Sequence, residues 1–264
     1  MIRRAMCLAM CFATSAIADS TEVTFETPDN VTVYGDLYEA DAPKDAPVIV
    51  LFHQGASNAR GEYGDFIAPR LVEEGYHVLA IDQRNGGDTY GESNRTVDGL
   101  TDATYGYCDA LPDMDEAITY IREQGYTGKL AVWGSSYSAA LVFHLAASRD
   151  EDVDAVFAFS PASGGPVLNC RAELAIEHVN DPMFVARPAI EMRRPTVQEQ
   201  TNMFIEHDAY FMVAPRGVHG SSMLHPERAQ MTDMMWDGVL GYLGYALRGE
   251  EKPAPQPRPK MPGR

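Results

Sequence analysis

Positive charge is scarce in this chain of 264 residues. Its 21 lysine and arginine residues stand against 38 aspartate and glutamate residues, so the formal net charge at pH 7 is −17. A strongly acidic protein repels the phosphates of nucleic acids and the surfaces of anionic membranes. We therefore expect neither nucleic acid nor an anionic membrane as a partner.

Long hydrophobic runs are missing beyond the N-terminus. Residues 1–18 begin with the basic Arg3 and Arg4, continue with a short apolar run, and end in Ala16-Ile17-Ala18. This order predicts a secretory signal peptide over residues 1–18 and a periplasmic or secreted location. A lipid anchor at Cys11 is disfavoured because the residue before it is a methionine. No later run has the length of a membrane span, so we expect no stable membrane insertion after cleavage.

Cysteine is rare as well. Two of the four cysteines lie within the predicted signal peptide, which leaves Cys108 and Cys170. A pair of cysteines in an exported chain favours one disulfide, with two free thiols as the alternative.

The chain also lacks H-E-x-x-H or similar metal-ligand spacing, and it lacks a glycine-rich phosphate-binding loop. We expect no metal and no other cofactor.

Segments of strand length alternate with segments of helical periodicity along the chain. The predicted strands are 22–26, 31–38, 48–52, 76–81, 129–133, 153–159, 183–186 and 210–214, and the predicted helices are 63–74, 111–124, 139–148, 196–206 and 226–248. This alternation predicts an α/β fold with a mainly parallel sheet and helices on both faces. We expect one domain over residues 19–249 and a disordered, proline-rich tail over 250–264.

The segment Ala131–Leu141 has the order strand, tight turn, helix, with Ser136 at the turn. Such a turn places its central residue in sparsely allowed backbone space and holds the hydroxyl clear of the sheet. Gly134 and Ser138 are the small neighbours that this geometry requires. The helix N-terminus beside Ser136 favours a developing negative charge. An ordinary polar turn is the alternative interpretation.

This segment resembles the nucleophile elbow, G-x-S-x-G, of the α/β-hydrolase family, with Ser138 in place of the last glycine. Two further segments are similar to motifs of that family, namely His53-Gln54-Gly55 to H-G-x and Asp82-Gln83-Arg84-Asn85-Gly86 to the D-x-R-x-G turn. The chain looks most like small esterases of the dienelactone-hydrolase type. The resemblance implies the α/β-hydrolase fold without a large lid, a serine nucleophile, and structural roles for Asp82 and Arg84.

A serine hydroxyl needs a base to take its proton and an acid to orient that base. Ligands bind at the carboxyl ends of parallel strands, and His219 follows the last predicted strand in a loop that contains glycines. The chain order of this fold, serine, acid, histidine, then favours Glu191, which follows the preceding strand. In the alternative, Glu191 is a surface carboxylate and the site uses another acid or none.

The oxyanion formed during acyl transfer needs preorganised donors. Tyr137 directly follows the nucleophile and offers its backbone N–H. The second donor is expected from the loop after Phe52, as the N–H of either Gly55 or Gln54, because Gln54 occupies the glycine position of H-G-x.

Two segments are expected to form the walls of an open site, Asp88–Cys108 and Ser160–Asn169. Each contains or adjoins one remaining cysteine, so a Cys108–Cys170 bridge would join the two walls.

The favoured interpretation is a secreted serine hydrolase that cleaves a small-molecule carboxylic ester through an acyl-enzyme. A peptidase or thioesterase on the same triad is one alternative. A non-catalytic binding protein on a hydrolase scaffold is the other, motivated by Gln54 and Ser138, and no signal for an oligomeric state is present.

Overall fold

The computed structural model describes residues 19–100 and 104–255. Its strands are β1 (Ser20–Glu26), β2 (Thr32–Tyr38), β3 (Val48–Phe52), β4 (His77–Asp82), β5 (Leu130–Ser135), β6 (Ala155–Phe159), β7 (Met183–Pro188) and β8 (Tyr210–Ala214). Its helices are α1 (Ile67–Glu73), α2 (Arg95–Gly99), α3 (Leu111–Glu123), α4 (Tyr137–Ser148), α5 (Pro195–Glu206) and α6 (Thr232–Arg248). The predicted signal peptide lies outside the described residues.

The strands form a sheet in the order β1-β2-β4-β3-β5-β6-β7-β8. β1 and β2 are an antiparallel hairpin, and β2 pairs antiparallel with β4. Every neighbouring pair from β4 to β8 is parallel, which confirms the mainly parallel sheet expected from the sequence. The loops after β3, β5, β7 and β8 therefore meet at one edge of the sheet.

Strand β3 lies in the middle of the sheet, and all of its side chains are buried. Val48, Val50 and Phe52 contact the core on one face of the sheet. Ile49 and Leu51 contact the core on the other face. Because side chains alternate between the faces, a strand that is covered on both sides is apolar throughout, and its sequence is a continuous apolar run.

Helices α3, α4 and α5 cover one face of the sheet, and α1 and α6 cover the other. On the first face, Phe143 of α4 stacks on Phe204 of α5 with ring centroids 5.1 Å apart. On the second face, Trp133 of β5 stacks on Phe159 of β6 at 4.3 Å. Burial of each such side chain contributes roughly 1.5–3 kcal/mol to stability. The two cores fix the sheet between its helices.

Two predicted helices differ from the observed ones. The helix expected over 63–74 is divided into a π-helical turn, Arg60–Gly64, and α1, because the intervening Phe66 has a non-helical φ of −147°. The closing helix expected over 226–248 is shorter, and only α6 is helical. Met231 directly before α6 has a φ of 60°, a left-handed conformation through which a right-handed helix cannot pass.

The first part of the C-terminal tail packs against the domain. The hydroxyl of Tyr210 donates to the carbonyl of Ala254 at 3.0 Å, and the Glu250 N–H donates to the carbonyl of Gly244 at 3.2 Å. The composition of 250–264 predicts disorder, but residues 250–255 are held in contact with β8 and α6. The remaining residues of the tail, 256–264, lie outside the described part of the chain.

Candidate active site

Ser136 stands between β5 and α4, with a φ of 61° and a ψ of −112°. A residue other than glycine in this region is strained by about 1–3 kcal/mol, and it persists only where its surroundings hold it. The Ser136 N–H donates to the carbonyl of Phe159 at 2.9 Å, and the Ser136 carbonyl accepts from the Ala162 N–H at 3.0 Å. Both backbone groups are thus tied to the end of β6, so the hydroxyl is held at the edge of the sheet.

The small neighbours of Ser136 are required by close packing. A Cβ at Gly134 would lie 2.4 Å from the carbonyl oxygen of Ser138, which excludes any other residue at position 134. The Ser138 hydroxyl donates to the carbonyl of His53 at 2.6 Å and accepts from the side-chain amide of Gln83 at 2.6 Å. A serine in place of the last glycine of the elbow pattern therefore ties the turn to the loops after β3 and β4.

The structure brings Ser136, His219 and Glu191 together. Nε2 of His219 lies 2.8 Å from Oγ of Ser136, and Nδ1 of His219 lies 2.5 Å from Oε1 of Glu191. In the neutral ring, the Nδ1–H group donates to the carboxylate, and Nε2 is left to accept the serine proton. The three residues come from the loops after β5, β7 and β8, in the order expected from the sequence.

Arg187, on β7, pairs with the acid of this triad. Its Nη1 donates to Oε2 of Glu191 at 2.9 Å, and both side chains are buried. Its Nη2 donates to the carbonyl of Pro161 and to Oε1 of Gln200. Burial acts to raise the pKa of Glu191, but the hydrogen bond from His219, the charge of that ring when it is protonated and the positive charge of Arg187 outweigh it and hold that pKa below its ordinary value. The acid is therefore ionised and fixed on both oxygens.

Residues 53–55, which we call the oxyanion loop, carry the two candidate donors Gln54 and Gly55, and these two N–H groups differ in their partners. The N–H of Gln54 donates to Oε2 of Glu62 at 2.8 Å and is therefore engaged. The N–H of Gly55 has no hydrogen-bond partner within residues 19–100 and 104–255. Tyr137 is the first residue of α4, so its N–H has no partner inside the helix. Of the donors expected from the sequence, the N–H groups of Gly55 and Tyr137 thus have no partner in the described part of the chain, whereas that of Gln54 does.

A buried network of hydrogen bonds around His53 holds the oxyanion loop in place. Nε2 of His53 accepts from the Gln83 N–H at 3.1 Å, so Nδ1 carries the proton and donates to the Gln54 carbonyl at 2.8 Å. The side-chain amide of Asn94 also lies 3.2 Å from Nε2. Burial lowers the pKa of His53, which keeps this ring neutral. No local pattern in the sequence indicates this network, because its members are brought together only by the fold; the one available signal is His53 at the start of the H-G-x segment.

The turn that follows β4 is structural, as expected. Oδ1 of Asp82 accepts from the Ala59 N–H at 2.7 Å, and Oδ2 accepts from Nε of Arg95 at 2.6 Å. Nε of Arg84 donates to Oδ1 of Asp113 at 2.8 Å. These hydrogen bonds and ion pairs hold the neighbouring loops in place. Asp82 and Arg84 are therefore engaged in structural contacts and are not available as catalytic groups.

A family model described as the alpha/beta hydrolase fold matches residues 47–226 of the chain. The chain belongs to the α/β-hydrolase fold family. The matched range contains β3 to β8 and all three residues of the Ser136–His219–Glu191 arrangement. Membership in this α/β-hydrolase family agrees with the topology of the sheet and with the elbow between β5 and α4.

Individual relatives of this α/β hydrolase are distant. The quorum-quenching protein AidA of Acinetobacter baumannii is 29% identical over 146 residues, which are 54% of this chain and 44% of that protein. The chain thus matches less than half the length of that relative. An esterase of Pyrococcus furiosus has a TM-score of 0.62 at 18% identity, covering 94% of this chain and 98% of its own. A dienelactone hydrolase of Anabaena variabilis has a TM-score of 0.64 at 16% identity, covering 88% and 100%.

A disulfide joins the two walls of the site in this α/β hydrolase. Cys108 and Cys170 are bonded, with their Cα atoms 5.7 Å apart. The neighbouring Tyr107 stacks on Tyr137 with ring centroids 4.5 Å apart, which brings the first wall against the start of α4. Residues 101–103 of that wall lie outside the described residues. The side chain of His219 is 51% exposed, so the site is open to solvent, as expected for a hydrolase without a large lid.

Tyr90 connects the first wall to both sides of the site. Its hydroxyl accepts from the Gln54 side-chain amide at 2.9 Å and from the Ser222 hydroxyl at 2.9 Å. The guanidinium of Arg228 lies 3.8 Å from the centroid of the Tyr90 ring. The wall is thereby held against the oxyanion loop and the loop that contains His219.

No group of three or more His, Cys, Asp or Glu side chains in residues 19–100 and 104–255 is arranged to hold a metal ion. In that same part of the chain, none of the helices has the length and apolar character needed to cross a membrane.

Proposed function

We propose that this chain is a serine hydrolase that cleaves a carboxylic ester through an acyl-enzyme. The hydrogen-bonded series Ser136–His219–Glu191 is the observation that carries the proposal, because the base lies 2.8 Å from the nucleophile and 2.5 Å from the orienting acid. A binding protein without catalysis would have no need of this alignment at a strained backbone position. The geometry therefore favours an enzyme over a non-catalytic scaffold.

In the proposed reaction, Oγ of Ser136 attacks the ester carbonyl while Nε2 of His219 takes the hydroxyl proton. The N–H groups of Gly55 and Tyr137 stabilise the oxyanion, and the ionised Glu191 stabilises the imidazolium. Collapse of the tetrahedral intermediate breaks the C–O bond, and His219 returns the proton to the departing alcohol. Water then attacks the acyl-serine with His219 as the base, and this step releases the acid and restores Ser136.

The substrate class we propose is an apolar ester, either open-chain or cyclic. Ile190 and Val218, next in sequence to Glu191 and His219, are exposed apolar side chains that a hydrocarbon group can contact. An esterase and a dienelactone hydrolase are among the similar structures, and a lactone is a cyclic ester. The esterase and the dienelactone hydrolase support an ester bond, and the apolar side chains support only an apolar group next to it. An acylaminoacyl peptidase of Pyrococcus horikoshii is also among the similar structures, which makes an acyl-peptide the alternative that the panel must include.

The proposal is tested with a substrate panel of p-nitrophenyl acetate, p-nitrophenyl butyrate, a five-membered lactone, an acyl-peptide amide and an acyl thioester. We expect turnover of the p-nitrophenyl esters and the lactone, and a fall in kcat of about 10³-fold or more in Ser136→Ala. Ser148→Ala, at the far end of the same helix, is the matched control and should retain activity. Turnover of the amide or thioester alone would replace the ester assignment with the corresponding alternative.

We also propose that the enzyme works outside the cytoplasm. The predicted signal peptide and the Cys108–Cys170 disulfide both support this location, since structural disulfides persist in oxidising compartments. Expression of the full chain in a bacterial host, followed by fractionation and N-terminal sequencing, should find a mature protein that begins at Asp19 in the periplasm. An intact N-terminus in the cytoplasmic fraction would contradict the proposal.

A further inference from the structure

Glu62 is a buried carboxylate that the chemistry proposed above does not use. It lies in the π-helical turn Arg60–Gly64 and is 0% exposed. Its Oε2 accepts the Gln54 N–H at 2.8 Å, but its Oε1 has no hydrogen-bond partner among the described residues. A buried carboxylate oxygen without a partner is unfavourable, so a residue of this kind needs an explanation beyond stability.

The unpaired oxygen of Glu62 faces the junction of the loops that carry the site. A Cβ placed on Gly220 would lie 3.6 Å from this Oε1 and 2.3 Å from Oγ of Ser135. Gly220 directly follows His219, and Ser135 directly precedes Ser136. The same carboxylate also holds the oxyanion loop through Gln54. Glu62 thus lies close to the three loops that contain Gln54, Ser136 and His219.

We propose that Glu62 is a positioning residue of this site, which holds the oxyanion loop through the Gln54 N–H and, when ionised, stabilises the protonated form of His219. The inference rests on the function proposed above. With Gln54 engaged, the loop presents the N–H of Gly55 to the oxyanion. When His219 takes the serine proton it becomes a cation, and a second buried carboxylate in a low-dielectric region favours that cation.

The charged groups around Glu62 agree with this role. Burial raises the pKa of Glu62 to about 7, although the Gln54 N–H and the positive charges of a protonated His219 and of Arg228 act to lower it. The Ser135 hydroxyl also lowers this pKa, but it approaches the carboxylate without completing a hydrogen bond to Oε1. The Arg228 guanidinium donates to the carbonyl of Gly61 at 2.9 Å. Arginine keeps its charge throughout the neutral range.

Two phenols, those of Tyr63 and Tyr137, also interact with Glu62. Burial raises the pKa of each well above its ordinary value, so neither ionises near neutral pH. Neither phenol therefore carries a charge that could compete with the Glu62 carboxylate near neutral pH.

The kinetic test compares the pH profiles of wild type, Glu62→Gln and Glu62→Ala with p-nitrophenyl butyrate. Glu62→Gln keeps an oxygen that accepts the Gln54 N–H but removes the charge. Because the Glu62 carboxyl holds its own proton at low pH and is ionised at pH 8, we expect kcat/KM at pH 8 to fall about threefold or more, and this difference from wild type to shrink toward pH 5. Glu62→Ala removes the acceptor as well, so its kcat should fall about tenfold or more with KM within about threefold.

Glu177→Gln, at an exposed carboxylate, is the matched control and should leave the profile unchanged. A Glu62→Gln profile that superimposes on wild type overturns the proposal, and so does a Glu62→Ala enzyme with the kcat of wild type. If Glu62→Ala fails to fold, Glu62→Gln alone decides.

A second readout does not depend on turnover. The NMR titration of the His219 ring, assigned with His219→Asn, should occur at lower pH in Glu62→Gln than in wild type. Identical titrations overturn the proposal about Glu62 even in an enzyme that hydrolyses esters. Absence of ester turnover in wild type would contradict the proposed function, and the NMR comparison would still decide the role of Glu62.

Discussion

Arg187 and Glu191 form a buried ion pair four residues apart, with Nη1 of the arginine 2.9 Å from Oε2 of the acid. Because His219 binds the other oxygen, Glu191 is held from both sides and cannot rotate away from the imidazole. The arginine is held in turn by Gln200 on α5. A chain of contacts from a helix to the nucleophile therefore sets the geometry of the site.

Replacement of Arg187 by methionine should damage both stability and catalysis. The substitution leaves Glu191 buried without its partner, which typically costs about 3–5 kcal/mol of the free energy of unfolding. We also expect kcat to fall about tenfold or more, because the carboxylate loses the contact that orients it. Urea unfolding and ester kinetics measure the two effects. Arg193→Met, at an exposed arginine of the same segment, is the control; equal losses in both variants would refute the role of Arg187.

Removal of the disulfide should destabilise the folded protein. The bridge closes a loop with a sequence separation of 62 residues, for which the chain-entropy relation gives about 4 kcal/mol. The double variant Cys108→Ser/Cys170→Ser should lose roughly that free energy of unfolding in urea, and its KM should rise because the walls are no longer joined. Dithiothreitol should reproduce the effect in wild type and change nothing in the double variant. Unaltered stability after complete reduction would contradict this prediction.

Gly55 should not tolerate a side chain. A Cβ at this position would lie 2.6 Å from the hydroxyl oxygen of Tyr107 and 3.0 Å from its Cζ, while the Tyr107 ring is held by its stack on Tyr137. We expect Gly55→Ala to lower kcat/KM about tenfold or more by displacing the oxyanion donor. Gly99→Ala, where a Cβ would meet no atom within 4 Å, is the control. The combination with Tyr107→Phe should recover part of the loss. Full activity of Gly55→Ala alone would contradict the prediction that Tyr107 is fixed against this loop.

The pH dependence of stability should carry a contribution from Glu62. Its pKa is raised from 4.5 to about 7 in the folded protein, so the folded state binds this proton more tightly than the unfolded state does. The stability contribution therefore falls as pH rises from about 4.5 to 7, by about 3 kcal/mol in total. Glu62→Gln should lack this fall, so the difference in unfolding free energy between variant and wild type should grow from pH 5 to pH 8. A constant difference across this range would contradict the raised pKa.

The residues that define the fold and the triad could be predicted from the sequence because each has a local signal. The apolar run of β3 indicates a strand that is covered on both faces, and Gly134 and Ser138 on either side of Ser136 indicate the tight turn. His219 and Glu191 follow from the rule that ligand sites lie beyond the carboxyl ends of strands. These signals depend on neighbours in sequence and on chain order.

Glu62 and Arg187 could not be predicted in the same way. Each is a charged residue in a segment that is otherwise part of the core, and its role depends on partners that only the folded chain brings together. The available signal for Arg187 is a charge inside the buried strand Met183–Pro188. The break at Phe66 and the positive φ of Met231 were missed for a related reason, since tertiary packing overrides helical periodicity there.

The central claim, that Ser136 is an activated nucleophile, is tested most directly by covalent labelling with a fluorophosphonate probe followed by peptide mass spectrometry. The account predicts one phosphonylated residue, Ser136, with labelling lost in Ser136→Ala and strongly slowed in His219→Asn. It also predicts faster labelling at pH 8 than at pH 5, because the imidazole must be neutral to accept the serine proton. A folded wild-type protein that stays unlabelled at Ser136 would contradict the claim.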